Sequence, residues 1–227
     1  MLLLFDIDGT LLLQASEPHR SALLDALGSV YGLADAHRHR VAAAGRTDTQ
    51  IARAIALACG LDRASFDERL PEFQAACAEA FARGCPPSLA AHLAPGIGEL
   101  LDALDDQPDT HLSLLTGNYE PVARLKLARA GIAGHFAAGQ GAFGSDAELR
   151  EDLGPIARAR AGADGIPYSR ERTTVIGDTP LDIACARADG LRVIAIATGP
   201  YAAAELSSAD HVVLNAFELG ALLRPGE

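Results

Sequence analysis

Two aspartates, Asp6 and Asp8, stand two residues apart where the apolar run Leu2-Leu3-Leu4-Phe5 gives way to Asp6-Ile7-Asp8-Gly9-Thr10. A short apolar run ahead of a glycine-bearing turn predicts a buried strand, so both carboxylates fall at its carboxyl end. Like charges gathered there are unfavourable unless a cation, a proton or hydrogen-bond donors offset them. A divalent cation is the simplest offset. The alternative is a plain β-turn that uses Asp and Gly for their turn propensity.

Two later runs close in a similar way. Leu112 to Leu115 leads into Thr116-Gly117-Asn118, which offers a hydroxyl, an amide and backbone N–H groups ahead of a helix. Val175-Ile176 leads into Gly177-Asp178-Thr179-Pro180-Leu181-Asp182, where Thr179 suits an N-cap and Pro180 a first helical position. Ligands of open parallel sheets bind outside the carboxyl ends of the strands, so the three segments are expected to converge. Together they offer oxygen ligands for a metal and donors for an anion such as phosphate.

The elements that must position these residues follow from periodicity. Strands are predicted at His111 to Leu115, Thr173 to Ile176, Arg192 to Ala197 and His211 to Leu214, each separated by a helix-sized segment. A helix with Ile97, Leu100, Leu101 and Leu104 on one face precedes the first of them. That alternation predicts an α/β fold with a parallel sheet covered by helices. Residues 15 to 88 differ: helices are predicted from Pro18 to Tyr31, from the capping box Thr47-x-x-Gln50 to Gly60, and from Pro71 to Arg83, with no strand. The expected organisation is a core of residues 1–14 and 89–227, interrupted by a helical insertion at 15–88.

With these motifs in place, the chain resembles the haloacid dehalogenase-like (HAD) hydrolases, chiefly Mg²⁺-dependent phosphatases. Asp6 to Thr10 resembles the family's first motif, Thr116 its second, and Gly177-Asp178 with Asp182 its acidic fourth. The resemblance, closest to the phosphoglycolate-phosphatase-like subgroup, implies a Rossmann-like core and a helical cap domain over the site. It also implies Asp6 as nucleophile, forming an aspartyl-phosphate, and Mg²⁺ held by Asp6, the Asp8 backbone carbonyl and Asp178. Asp8 becomes the acid and base, and its presence counts against dehalogenation. Thr116, with the N–H groups of Gly117 and Asn118, would hold the transferring oxygens, while Asp182 orients the metal's surroundings.

The third motif departs from the family, which usually has a lysine there. Lys126 lies too early, on the helix directly after the second motif, so the role passes to Arg150, with Arg158 and Arg160 as fallbacks. Arg46, in Gly45-Arg46-Thr47-Asp48, is expected either to reach a second anionic group on a phosphoglycolate- or sugar-phosphate-like substrate or to be a solvated surface cation. A phosphosugar mutase on the same scaffold, or a module that keeps phosphate on an aspartate without turnover, are the competing functions.

Other features are read as structural. Gly139-Gln140-Gly141-Ala142-Phe143-Gly144 fits a dinucleotide fingerprint, but it lies mid-chain after the poor strand candidate His135 to Ala138. Cys59, Cys77, Cys85 and Cys185 form no C-x-x-C pair and are expected to be buried free thiols. His37 and His39 are expected on a solvated helix face. The balance of 19 basic and 30 acidic residues, net −11, argues against nucleic-acid or membrane partners. A small phosphorylated metabolite met by local cations is the expected partner. The start of the chain resembles no signal peptide, and a cytoplasmic location is expected; oligomeric state is not legible.

Overall fold

The computed structural model describes residues 1–223. Strand β1, Leu2–Phe5, is buried along its whole length because neighbours pair with it on both sides. Its side chains alternate between two clusters, Leu3 and Phe5 on one face of the sheet and Leu2 and Leu4 on the other.

Four helices follow before the next strand: α1 (Glu17–Tyr31), α2 (Asp48–Ala58), α3 (Arg63–Glu68) and α4 (Leu70–Gly84). Gly32 ends α1 in the left-handed conformation, and Thr47 opens α2 through the capping box with Gln50. Helix α3, absent from the periodicity reading, is short and is capped by Asp62. The His37 segment is also corrected, being a single 3-10 turn, Ala36–Arg38, with His39 extended beyond it.

The remainder alternates: α5 (Ile97–Asp105), β2 (His111–Thr116), α6 (Glu120–Ala130), β3 (Ala142–Phe143), α7 (Leu153–Ala161), β4 (Thr173–Gly177), α8 (Pro180–Ala188), β5 (Arg192–Ile196), β6 (His211–Val213) and α9 (Ala216–Leu223). The six strands form one parallel sheet in the order β3-β2-β1-β4-β5-β6. This is a Rossmann-like α/β fold. Strand β3 was not foreseen; two residues are too few to show a period, and it lies inside the glycine-rich decoy.

The first motif ends a strand with neighbours on both sides, so the sheet delivers β1, β2 and β4 side by side with their carboxyl ends aligned. Register fixes this: Phe5 pairs with Leu114 and with Ile176. The four cysteines are free thiols, three of them buried. No helix among the described residues is long and apolar enough to cross a membrane.

Candidate active site

Asp6 continues the ladder beyond β1, its N–H donating to the Ile176 carbonyl at 2.9 Å. The chain then turns sharply, with the N–H groups of Leu11 and Leu12 returning to the Ile7 carbonyl. Ile7 points into the apolar cluster while Asp6 and Asp8 line a cavity of about 420 Å³. Gly9 has φ +90°, and a Cβ there would strike the Asp178 carboxylate. The turn therefore wraps directly around the fourth-motif acid.

Asp6, Asp178 and Asp182 are buried and each offers a carboxylate oxygen within 4.8 Å of the others. The three differ in how far the protein satisfies them. Asp182 is fully committed: one oxygen accepts from Thr179 N–H and Oγ1, completing the α8 capping box, and the other takes Arg150. Asp178 accepts from Thr10 Oγ1 at 3.1 Å, but its Oδ2 is buried with no hydrogen-bond partner among the described residues. Asp6 has the Arg150 Nη2 at 3.3 Å.

Electrostatics follow the same division. Burial, then the charges of Asp6 and Asp182, push the Asp178 carboxyl up to about 8. Burial also raises Asp6, to about 6, against the pull of Arg150 and with help from Asp182 and Asp8. Arg150 is buried too, yet Asp182 and Asp6 hold its guanidinium charged above the ordinary arginine value. An orphaned buried carboxylate oxygen beside other hard oxygen donors fits a small divalent cation such as Mg²⁺. Asp6 and Asp178 are the side chains with capacity to ligate it.

The second motif supplies the opposite wall. Thr116 is fully buried at the end of β2, and its Oγ1 faces the Asn118 N–H at 3.4 Å. Gly117 and Asn118 line the cavity; Thr116 does not. No Cβ fits on Gly117, because the Arg46 carbonyl of the helical insertion lies against it.

Lys126, set aside on its sequence position, does reach the site, at Asp8 rather than at Asp6. From α6 its Nζ meets both Asp8 oxygens, at 2.8 and 2.6 Å, as well as Asn118 Oδ1 at 2.7 Å and His19 Nδ1 at 3.2 Å. Asn118 Nδ2 adds a bond to Asp8 Oδ2 at 2.9 Å. Burial works against the Asp8 charge, but the Lys126 ammonium, with the bonds from Lys126 and Asn118, outweighs it and holds the carboxyl below its ordinary value. A sequence signal for Lys126 existed: Val122, Lys126 and Ala130 share one face of α6, and all are buried. A lysine on an apolar face requires a buried partner.

The helical insertion covers the cavity and is tied down around it. Asp48 N–H donates to the Gly117 carbonyl at 2.8 Å, and Asp48 Oδ2 accepts from Tyr119 N–H at 2.8 Å and faces His19 Nε2 at 3.0 Å. Arg53 makes a two-pronged pair with Glu148 at 2.6 and 2.8 Å. Arg150 Nη1 also donates to the Gly45 carbonyl at 3.0 Å. Arg46 is exposed and lines the cavity, as do Arg20, His39 and Arg40. The segment read as a solvated helix face thus contributes to the cavity wall. The fallback arginines lie elsewhere: Arg158 is bound to Asp189 and Arg160 to Asp146.

Comparison with known proteins identifies the family and the fold. The family model for haloacid dehalogenase-like hydrolases matches residues 3–187. A search among curated proteins finds no match. Among solved structures, a predicted phosphatase from Clostridium acetobutylicum superposes with TM-score 0.68 at 18% identity, covering 98% of this chain and 97% of that one. CbbY from Rhodobacter sphaeroides in complex with phosphate gives 0.62 at 20% identity, covering 96% of each chain. A Bacteroides vulgatus protein named for β-phosphoglucomutase gives 0.63 at 20% identity, covering 97% of this chain and 86% of that one. At these identities the likeness is one of fold.

Proposed function

The chain belongs to the haloacid dehalogenase-like hydrolases, and we propose that within this family it hydrolyses the phosphate monoester of a small metabolite by way of a phosphoaspartate on Asp6. One observation carries this reading: Asp6 stands at a central strand end with the Arg150 guanidinium at 3.3 Å on one flank and the orphaned oxygen of Asp178 in the same cluster. A nucleophilic carboxylate in this position needs positive charge on both the metal and the phosphate side.

Asp6, Asp178 and the Asp8 backbone carbonyl would hold Mg²⁺, with Asp182 keeping Arg150 and the start of α8 in place. Bound there, the cation supplies charge neutralisation between the entering phosphate and the acidic cluster. A carboxylate oxygen of Asp6 attacks phosphorus; the bond to the leaving oxygen breaks and its electron pair departs with the alcohol. Arg150 and the N–H groups of Gly117 and Asn118 would meet the transferring oxygens. Asp8 gives the leaving oxygen a proton. In the second half a water attacks phosphorus, Asp8 takes that water's proton, and Asp6 is released with inorganic phosphate.

Lys126 favours the ionised form of Asp8, which suits the second half. For the first half, the negative charge of the arriving phosphate works in the other direction and raises the proton affinity of Asp8. Acid and base assistance of this kind is worth about 10² to 10⁴ in rate.

The cavity adds a constraint on substrate. Arg46 and Arg40 have no acidic partner among the described residues, and with Arg20 they place cations at the insertion side of a chain of net charge −11. A substrate with a second anionic group, such as a phosphorylated acid or a sugar bisphosphate, suits that wall. The CbbY neighbour has been seen with xylulose 1,5-bisphosphate. The same feature favours the second reading, a phosphosugar mutase. A panel of phosphorylated metabolites assayed with Mg²⁺ and with chelator separates the two: phosphate release supports the phosphatase, and isomer exchange without release supports the mutase.

A further inference from the structure

Asp8 is gripped from behind by a group that does not line the cavity. The Lys126 side chain is wholly buried, whereas Asp8 is 29% exposed. An ammonium has three N–H donors, and three acceptor groups surround this one: the Asp8 carboxylate, Asn118 Oδ1 and His19 Nδ1. Its donors are therefore spent. With Nδ1 accepting, the His19 proton sits on Nε2 and is donated to Asp48 Oδ2. With Oδ1 accepting, the Asn118 amide is fixed as well, so that its Nδ2 donates to Asp8. Each member of the cluster has one consistent role, and the result is an Asp8 carboxylate with both oxygens held and little rotational freedom.

Resting on the phosphatase reading above, we propose that Lys126 is a positioning residue for the hydrolytic half of the reaction: by holding both oxygens of Asp8 it keeps that carboxylate aimed where it takes the proton of the water attacking phosphoaspartate. The step balances. Water forms its bond to phosphorus, the bond to the Asp6 oxygen breaks with its electron pair, and the proton moves to an Asp8 oxygen. Lys126 exchanges nothing with the substrate. His19 extends the support to α1 and, through Asp48, to α2, so the insertion that covers the cavity also braces the base.

The test is the time course of p-nitrophenyl phosphate hydrolysis with Mg²⁺ in Lys126→Met, followed from the first turnover. Nitrophenolate leaves without acid help, so the first half does not need a well-aimed Asp8. The expected result is a burst of nitrophenolate equal to the enzyme present, at the wild-type rate, followed by steady turnover slowed about 10²-fold, as misplacement of a catalytic group costs. KM should fall together with kcat, because phosphoenzyme accumulates. Burst and steady rates falling together, or neither changing, would overturn the proposal. If the unpaired Asp8 charge prevents Lys126→Met from folding, Lys126→Arg carries the same test. It keeps the buried charge, but its planar fork cannot share one centre among three acceptors. No multiple turnover by the wild type would instead sink the phosphatase reading itself, and this proposal with it.

Discussion

The Arg150 Nη2 sits 3.3 Å from Oδ1 of Asp6 while the same nitrogen pairs with Asp182, so one buried guanidinium bridges the first and fourth motifs. Removing it leaves two buried carboxylates without their shared cation. Arg150→Ala should lower stability by about 3–5 kcal/mol, the usual effect of breaking one side of a buried pair. Urea denaturation in chelator checks this; an unchanged midpoint would contradict it. Arg150→Lys should recover stability better than turnover, since it restores the charge without the fork.

Asp8 is assigned the proton given to the leaving oxygen and the proton taken from the attacking water. Asp8→Ala should therefore lose more kcat/KM on an alkyl phosphate than on p-nitrophenyl phosphate, whose leaving group needs no acid. The difference is expected at about 10² or more. Equal losses on the two substrates argue against the acid role.

The metal assignment makes a prediction about pH. In the metal-free protein the Asp178 carboxyl is raised to about 8 and that of Asp6 to about 6, both from an ordinary value of 3.8. Over that window the folded state binds protons that the unfolded state has lost. Stability without metal should therefore fall as pH rises from about 4 to about 8, by roughly 1 kcal/mol per pH unit for each group within its own range. Mg²⁺ binds the ionised form, so its stabilising effect should be larger at pH 8 than at pH 5.5. Asp178→Asn should flatten the metal-free profile and remove the Mg²⁺ response. Thermal unfolding in Mg²⁺ and in chelator at the two pH values measures both effects.

Much of this was legible because the relevant signals are local. Strand ends, glycine turns and the Thr179-Pro180 helix start are written in short contiguous segments, and strands that end together bring those segments together. Strand β3 and helix α3 escaped because two and six residues hold too little pattern to separate from loop. Lys126 escaped for a different reason. Its distance along the chain from the other motifs concealed what its place on the apolar face of α6 disclosed: a buried ammonium that had to meet an acid. His39 was wrongly read onto a helix because an extended segment draped over a cavity leaves no periodic trace. The orphaned oxygen of Asp178 cannot be read from sequence, since it depends on which donors the folded chain fails to supply.

Arg46 reaches the cavity from the turn before α2, and its carbonyl already packs on Gly117. If its side chain meets a second anionic group, Arg46→Ala should raise KM for phosphorylated acids or bisphosphates and leave p-nitrophenyl phosphate nearly unaffected. The loss is expected at about tenfold, the scale of one charge-assisted hydrogen bond. An unchanged KM across the panel returns Arg46 to the solvated surface.

The central claim is that phosphate passes through Asp6. Acid quenching during turnover of a phosphate monoester, followed by borohydride reduction, converts a phosphorylated aspartate to homoserine that mass spectrometry locates in the peptide. Homoserine at position 6, absent when Asp6→Asn replaces the wild type, is the predicted result. Reduction at another residue, or turnover retained by Asp6→Asn, contradicts the account.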